Sequence, residues 1–162
     1  MNKEKIFALL IGKKNSTGFP GKNVMDINGL PSCEYGFQVA KRMGIKNIFV
    51  STDCPTIVKI SSKYLAHHIK RPPELATPES LTEDVLVHAY QEMLKLKYKP
   101  EIIVLLFANN PAISIDLVSS GIKKLLEDET YDSAFSVSKY NMFSPARARK
   151  INNGNIESFI PL

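Results

Sequence analysis

Apolar residues along this chain keep two alternating rhythms. Ile6 to Ile11 is an unbroken apolar run that stops at Gly12, and Ile48-Phe49-Val50 and Ile102 to Phe107 are runs of the same kind. Short continuous runs like these read as strands buried on both faces, the usual condition in a parallel sheet. Between them the apolar positions widen to helical spacing. Phe37, Val39, Ala40 and Met43 follow Pro31 and Ser32, Ile57, Val58, Ile60 and Leu65 follow Pro55, and a long helix is expected from Thr82 to about Leu96. The boundaries carry their own signals. Gly44 is placed to stop the first helix, Pro55 is a favoured first helical residue, and Thr82 offers a capping hydroxyl ahead of Glu83 and Asp84. A short strand is expected around His68-Ile69, before Arg71-Pro72-Pro73, whose prolines enforce an extended loop. Asn109-Asn110-Pro111 ends the run at Phe107, and Ser114 and Asp116 open a last helix closing at Glu127-Asp128-Glu129. A fifth strand from Ser133 to Val137 and a hairpin around Asn152-Asn153-Gly154 complete the pattern.

Strands that alternate with helices predict an α/β fold: a doubly wound, mostly parallel, Rossmann-like sheet with right-handed crossovers. Residues 1–162 are expected to form one domain. Such sheets bind ligands at the carboxyl ends of their strands, which directs attention to Gly12 onward and to Ser51-Thr52-Asp53.

Composition narrows the function. The chain is 44% hydrophobic and 23% charged, and no apolar run approaches the roughly 20 residues that span a bilayer. Met1-Asn2-Lys3-Glu4-Lys5 leads into only a short apolar stretch, so a cytoplasmic protein without membrane attachment is expected. Cys33 and Cys54 form no CxxC pattern and read as reduced structural thiols. His67, His68 and His88 lack ligand spacing, and no metal is assigned to them. The net charge of +5 calls for an anionic partner. Lys and Arg are mostly scattered singly, without basic tracts interleaved with aromatics, which argues against nucleic acid. The local exception is Lys13, Lys14 and Lys22 on one loop, a density that suits a polyphosphate.

That loop, Gly12 to Asn23, is the most informative stretch. Glycines let backbone amides approach phosphates closely, and lysines supply positive charge. It matches neither GxxxxGK[ST] nor GxGxxG, and by itself it also reads as an ordinary solvated turn segment. Three stretches in order change the picture: Asn15-Ser16-Thr17-Gly18-Phe19-Pro20-Gly21-Lys22-Asn23, then Ser51-Thr52-Asp53, then Arg71-Pro72-Pro73-Glu74-Leu75-Ala76. Together with the first strand they resemble the cytidylyltransferases that activate acidic sugars, a family that includes the acylneuraminate and ketodeoxyoctulosonate synthetases. The likeness extends more loosely to about Asn153.

The resemblance implies a nucleotide-diphospho-sugar transferase type of fold and a reaction in which CTP and a keto sugar acid, such as a nonulosonic acid, give a CMP-sugar and pyrophosphate. It implies Mg2+ or another divalent cation, with its protein ligands outside this chain, and a homodimer at full length. Lys13 falls where the family carries a phosphate-binding Arg, and Lys22 and Asn23 match its Lys-Asn pair at the phosphates and ribose. Asn15, Ser16 and Gly18 are expected along the nucleotide, Arg71 at the cytosine ring, and Ser80 or Thr82 as a hydroxyl on the base. Asp53 is readable either as an active-site carboxylate or as a helix cap. The sequence also departs from the pattern. Thr17 replaces a Lys, and the family's Gln-Pro-Thr-Ser-Pro-Leu-Arg stretch appears as Phe107 to Ile113, which leaves sugar recognition to Asn109 or Asn110. The chain stops where family members continue, so a fragment that binds CTP weakly is expected. A nucleotidyltransferase for another sugar, and a non-catalytic domain binding nucleotide or nucleic acid, are the alternatives.

Overall fold

The computed structural model describes residues 3–16, 18–137 and 149–158. Its centre is a four-stranded, wholly parallel sheet of β1 (Ile6–Ile11), β4 (Asn47–Thr52), β5 (His67–Lys70) and β6 (Ile102–Phe107), in the order β5-β4-β1-β6. Two short strands, β2 (Asp26–Ile27) and β3 (Leu30–Pro31), form a hairpin, and β7 (Arg149–Asn152) and β8 (Asn155–Ser158) form another. The helices are α1 (Ser32–Arg42), α2 (Pro55–Ser62), α3 (Thr82–Lys95) and α4 (Ile115–Glu127).

All six residues of β1 are buried, and their alternation splits the interior in two. Ile6, Ala8 and Leu10 point to a core shared with Phe37 and Ala40 of α1 and Ile57 and Ile60 of α2. Phe7, Leu9 and Ile11 point to the opposite core, with Val85, Ala89 and Met93 of α3. Covering both faces is what the continuous apolar run requires, and Leu9 and Leu10, each fully buried, contribute about 2 kcal/mol apiece. Gly36 lets α1 lie close on the sheet, because a Cβ there would stand 2.9 Å from Leu10 Cδ1. On the other face Phe7 stacks on Phe49 at 5.7 Å, and Tyr98 meets both edge-on. His67 stacks on Phe49 at 4.9 Å and pairs with the Tyr98 hydroxyl, while His68 Nε2 lies 3.0 Å from the Thr52 carbonyl.

Several local expectations need correction. Thr82 does not cap α3: Leu81 holds that position and no side chain caps the helix. The second helix ends at Ser62, leaving Leu65 in a left-handed conformation and 88% exposed. The Pro-Pro loop continues into a 3-10 turn, Pro73–Leu75. Residues 133–137 pair with no strand among the described residues, and Phe135 and Val137 are 84% and 92% exposed. Alternation specifies a strand only where a neighbouring ladder takes up its backbone groups. The β2–β3 hairpin was not anticipated, although Asn28-Gly29 at its tip, both with positive φ, is the signal for one. Ser114 does cap α4, accepting from Leu117 N–H at 3.2 Å, and Asn153-Gly154 does turn the final hairpin. Among the described residues no helix is long and apolar enough to cross a membrane.

Burial also sets a pH dependence. Cys33 is fully buried, and burial, reinforced by the Glu34 charge, pushes its thiol from 9.0 up to about 12. Burial and then the hydrogen bond to Glu34 push Tyr64 from 10.0 up to about 12. For an acid group raised in the folded state, both states hold the proton below the unfolded value. Above it only the unfolded chain releases the proton, so stability is lost as pH rises from 9 towards 12. The thermal midpoint should therefore decline above pH 9, and less steeply in Cys33→Ala. Equal slopes for the two proteins would remove Cys33 as a source.

Candidate functional site

The chain leaves β1 for β4 and β5 on one side and returns to β6 on the other, so the strand order reverses between β1 and β6. A crevice at such a reversal, beyond the carboxyl ends of the strands, is the default ligand site of an open α/β sheet. Here a cleft of about 210 Å³ opens there. Lys13, Ser16, Lys22 and Asn23 line it from the β1 side, Arg71, Ser80 and Thr82 from the segment after β5, and Asn109 from the end of β6. Residues spread over nearly a hundred positions thus meet at one place.

Each wall is fixed by specific bonds. The Gly12 N–H donates to the Ser51 carbonyl at 3.3 Å, and the Thr52 hydroxyl donates to the Gly12 carbonyl at 2.6 Å. Asn23 is buried, and its Nδ2 donates to the Lys13 carbonyl at 2.8 Å, folding the loop back on itself. The Lys13 ammonium reaches across to donate to the Thr77 carbonyl at 2.9 Å. A neutral carbonyl leaves the ammonium's charge uncompensated. Ser80 Oγ donates to the Leu75 and Thr77 carbonyls, which closes the segment after β5 while its lone pairs stay free to accept.

Arg71 is the most constrained cation. It is only 6% exposed, and its Nη2 donates to the Ser51 carbonyl at 2.8 Å, with Nε 3.4 Å from the Ser51 hydroxyl. Two of its three nitrogens thus serve the protein, and three of its five N–H groups are not used on Ser51. Burial lowers the guanidinium from its ordinary value, and the negative charge of Asp53 works in the opposite direction.

The remaining expected site residues lie elsewhere. Asn15 lines an adjoining depression of about 250 Å³ with Lys14, Ser16, Pro20 and Gly21, and Ser16 is common to both spaces. Gly18 is exposed and lines neither. Asp53 neither lines the cleft nor caps α2, whose cap is Cys54; its Oδ1 accepts the Lys14 N–H at 2.7 Å. Thr17 lies outside the described residues. Sequence reading missed the apolar wall of the cleft, formed by Ile11, Leu81, Val85 and Phe107. An Ile or Phe at a strand end looks like core in a sequence, but Phe107 closes the last strand of the four-stranded sheet and is 42% exposed.

Fold and cleft together define a parallel α/β protein with a cationic, partly apolar ligand site at its topological switch point. Residues 11–152 match the family described as Cytidylyltransferase, and the chain belongs to that family. N-acylneuraminate cytidylyltransferase B of Danio rerio is 22% identical over 152 residues, covering 94% of this chain and 35% of that protein. The 3-deoxy-manno-octulosonate cytidylyltransferase 2 of Hydrogenovibrio crunogenus is 27% identical over 135 residues, covering 83% of this chain and 52% of that protein. Among solved structures, CMP:2-keto-3-deoxy-manno-octonic acid synthetase complexed with CTP shares the fold, with a TM-score of 0.61 and 24% identity over 77% of this chain and 48% of that one. The chain therefore spans about a third to a half of the length of these relatives.

Proposed function

We propose that this chain is the nucleotide-binding part of a cytidylyltransferase, taking CTP in the cleft and passing its cytidylyl group to an acidic keto sugar of the nonulosonic or octulosonic class. The observation that carries this reading is the convergence of Lys13, Lys22 and Arg71 with Asn23, Ser80 and Thr82 on one cleft at the switch point. Three cations in so small a space, with no carboxylate among the described lining residues, favour a polyanion. Lys13 and Lys22 hold phosphate oxygens, Asn23 the ribose or phosphates, and Arg71 with the Ser80 and Thr82 hydroxyls the base edge. Names of relatives with two different sugar acids support the acceptor class and leave its member open.

In this reaction an acceptor hydroxyl oxygen bonds to the α-phosphorus of CTP and releases its proton to solvent, the bond from that phosphorus to the bridging oxygen breaks, and pyrophosphate leaves. The Lys13 ammonium, held on the Thr77 carbonyl before the ligand arrives, stabilises the charge that builds on the leaving oxygens without large reorganisation. A hard divalent cation prefers carboxylate and carbonyl oxygens. Among the described residues the cleft lining offers no carboxylate, and no group of three or more His, Cys, Asp or Glu is able to hold a metal. These residues do not make a magnesium site; its protein ligands are expected outside them. Asn109 and the exposed Phe107 stand at the β6 end and face the acceptor, so sugar selection there combines an amide with an apolar wall.

Calorimetric titration with CTP, UTP, GTP and ATP tests the proposal. CTP should bind most tightly, and with affinity falling as salt rises. Equal affinity for all four, or steep salt-dependent binding to RNA or DNA in their place, would replace it with a non-selective anion-binding domain.

A further inference from the structure

We infer that Asp53 is a positioning residue for the loop after β1: its carboxylate pins the Lys14 amide so that Lys13 and Ser16 are held at the cleft before any ligand arrives. The inference rests on the nucleotide reading above and assigns the loop its anchor. Among the described residues Asp53 makes no other hydrogen bond. It does not line the cleft, and it does not cap α2, where the Cys54 N–H is taken by Thr52 Oγ1 at 3.0 Å. Its Oδ1 instead accepts the N–H of Lys14, 39 residues away in sequence, at 2.7 Å. The preceding residue does the matching job, since Thr52 Oγ1 donates to the Gly12 carbonyl at 2.6 Å. Two consecutive residues at the end of β4 therefore clamp the peptide groups on either side of Lys13. Asn23 holds the Lys13 carbonyl from the other direction, and the Lys13 side chain is left to span the cleft to Thr77.

A carboxylate suits this position better than a neutral acceptor. A bond from an amide to an ionised oxygen is shorter and about twice as strong as a neutral one. Its negative charge also offsets the buried Arg71 guanidinium from outside the cleft, where it occupies none of the space a phosphate would need.

The test compares wild type with Asp53→Asn, which keeps an acceptor oxygen, and Asp53→Ala, which removes it. Three quantities are read: hydrogen exchange at the Lys14 amide, affinity for CTP, and affinity for cytidine, which lacks phosphates. In Asp53→Ala the Lys14 amide should lose protection and CTP affinity should fall about tenfold, with cytidine affinity unchanged. Asp53→Asn should keep Lys14 protection and lie closer to wild type. Equal weakening of CTP and cytidine in Asp53→Ala would mean a general structural role and overturn the inference, as would unchanged CTP affinity. Should Asp53→Ala fail to fold, Asp53→Leu, which also lacks an acceptor oxygen, takes its place, and unchanged Lys14 protection there overturns the tether. Wild type binding neither ligand sinks the functional reading and the anion-loop role with it, while Lys14 exchange still decides whether the tether exists.

Discussion

Arg71→Ala is expected to abolish measurable CTP binding, with affinity falling about a hundredfold or more, and to lower the melting temperature at the same time. The two effects have one source. Arg71 is almost wholly buried, lines the cleft, and spends Nη2 and Nε on Ser51. Truncation leaves the buried Ser51 carbonyl with only the 3.3 Å bond from Gly12 N–H and empties a guanidinium-sized space. Losing a buried charged hydrogen bond costs about 1.5–3 kcal/mol, and a ligand group left facing that space loses a partner as well. For a chain of this size each kcal/mol lowers the midpoint by about 2–4 °C. Arg71→Lys should recover little, because one ammonium cannot hold Ser51 and reach a ligand together. Calorimetry and a melting curve on the same sample check both halves. A variant that melts lower yet binds CTP like wild type would make Arg71 a structural pin and nothing more.

The second large effect is expected at Gly12. A Cβ at this position would lie 2.6 Å from Ala108 Cβ and 3.0 Å from Ile57 Cδ1. Ile57 can rotate aside, but Ala108 cannot: it is fully buried, its N–H donates to the Ile11 carbonyl at 2.9 Å and its carbonyl accepts from Ser32 Oγ at 2.8 Å. Gly12→Ala must therefore spread β1 from β6 where the cleft opens. Overpacking of this kind costs about 1–3 kcal/mol, and weaker CTP binding should accompany it as Lys13 shifts. The double variant Gly12→Ala, Ala108→Gly removes the opposing methyl and should return much of the lost stability. If the single variant melts with wild type, or the second change rescues nothing, the close approach is not what requires glycine here.

That result would also correct how the loop reads from sequence. Its glycines suggest room for phosphates, yet Gly12 is dictated by strand packing, and a Cβ on Gly18 would meet nothing within 4 Å. The sheet itself was legible because β1 and β4 are buried on both faces and β6, although only partly buried, carries the same unbroken apolar run. The family resemblance then pointed to Lys13, Lys22, Asn23, Arg71, Ser80, Thr82 and Asn109, which the fold brings to one cleft. What failed depended on partners remote in sequence. Residues 133–137 have the alternation of a strand but no ladder among the described residues, and the task of Asp53 depends on a backbone amide 39 positions earlier. Composition cannot report such pairings, because the same Asp before Cys-Pro would serve equally well as a cap.

The placement of β1 has a kinetic consequence. Its ladder with β4 joins Phe7 to Asn47, whereas its ladder with β6 joins Ile6 to Ile102. Closing the longer loop costs more chain entropy, by about 0.6 kcal/mol for each doubling of length, and non-local pairings slow folding. The β1-β4-β5 half can gain its contacts first, with β6 docking onto a preformed edge. Since Phe107 and Asn109 arrive with β6, the cleft is expected to be among the last features completed during folding, and its ligand should act on the final step of assembly rather than on the collapse before it.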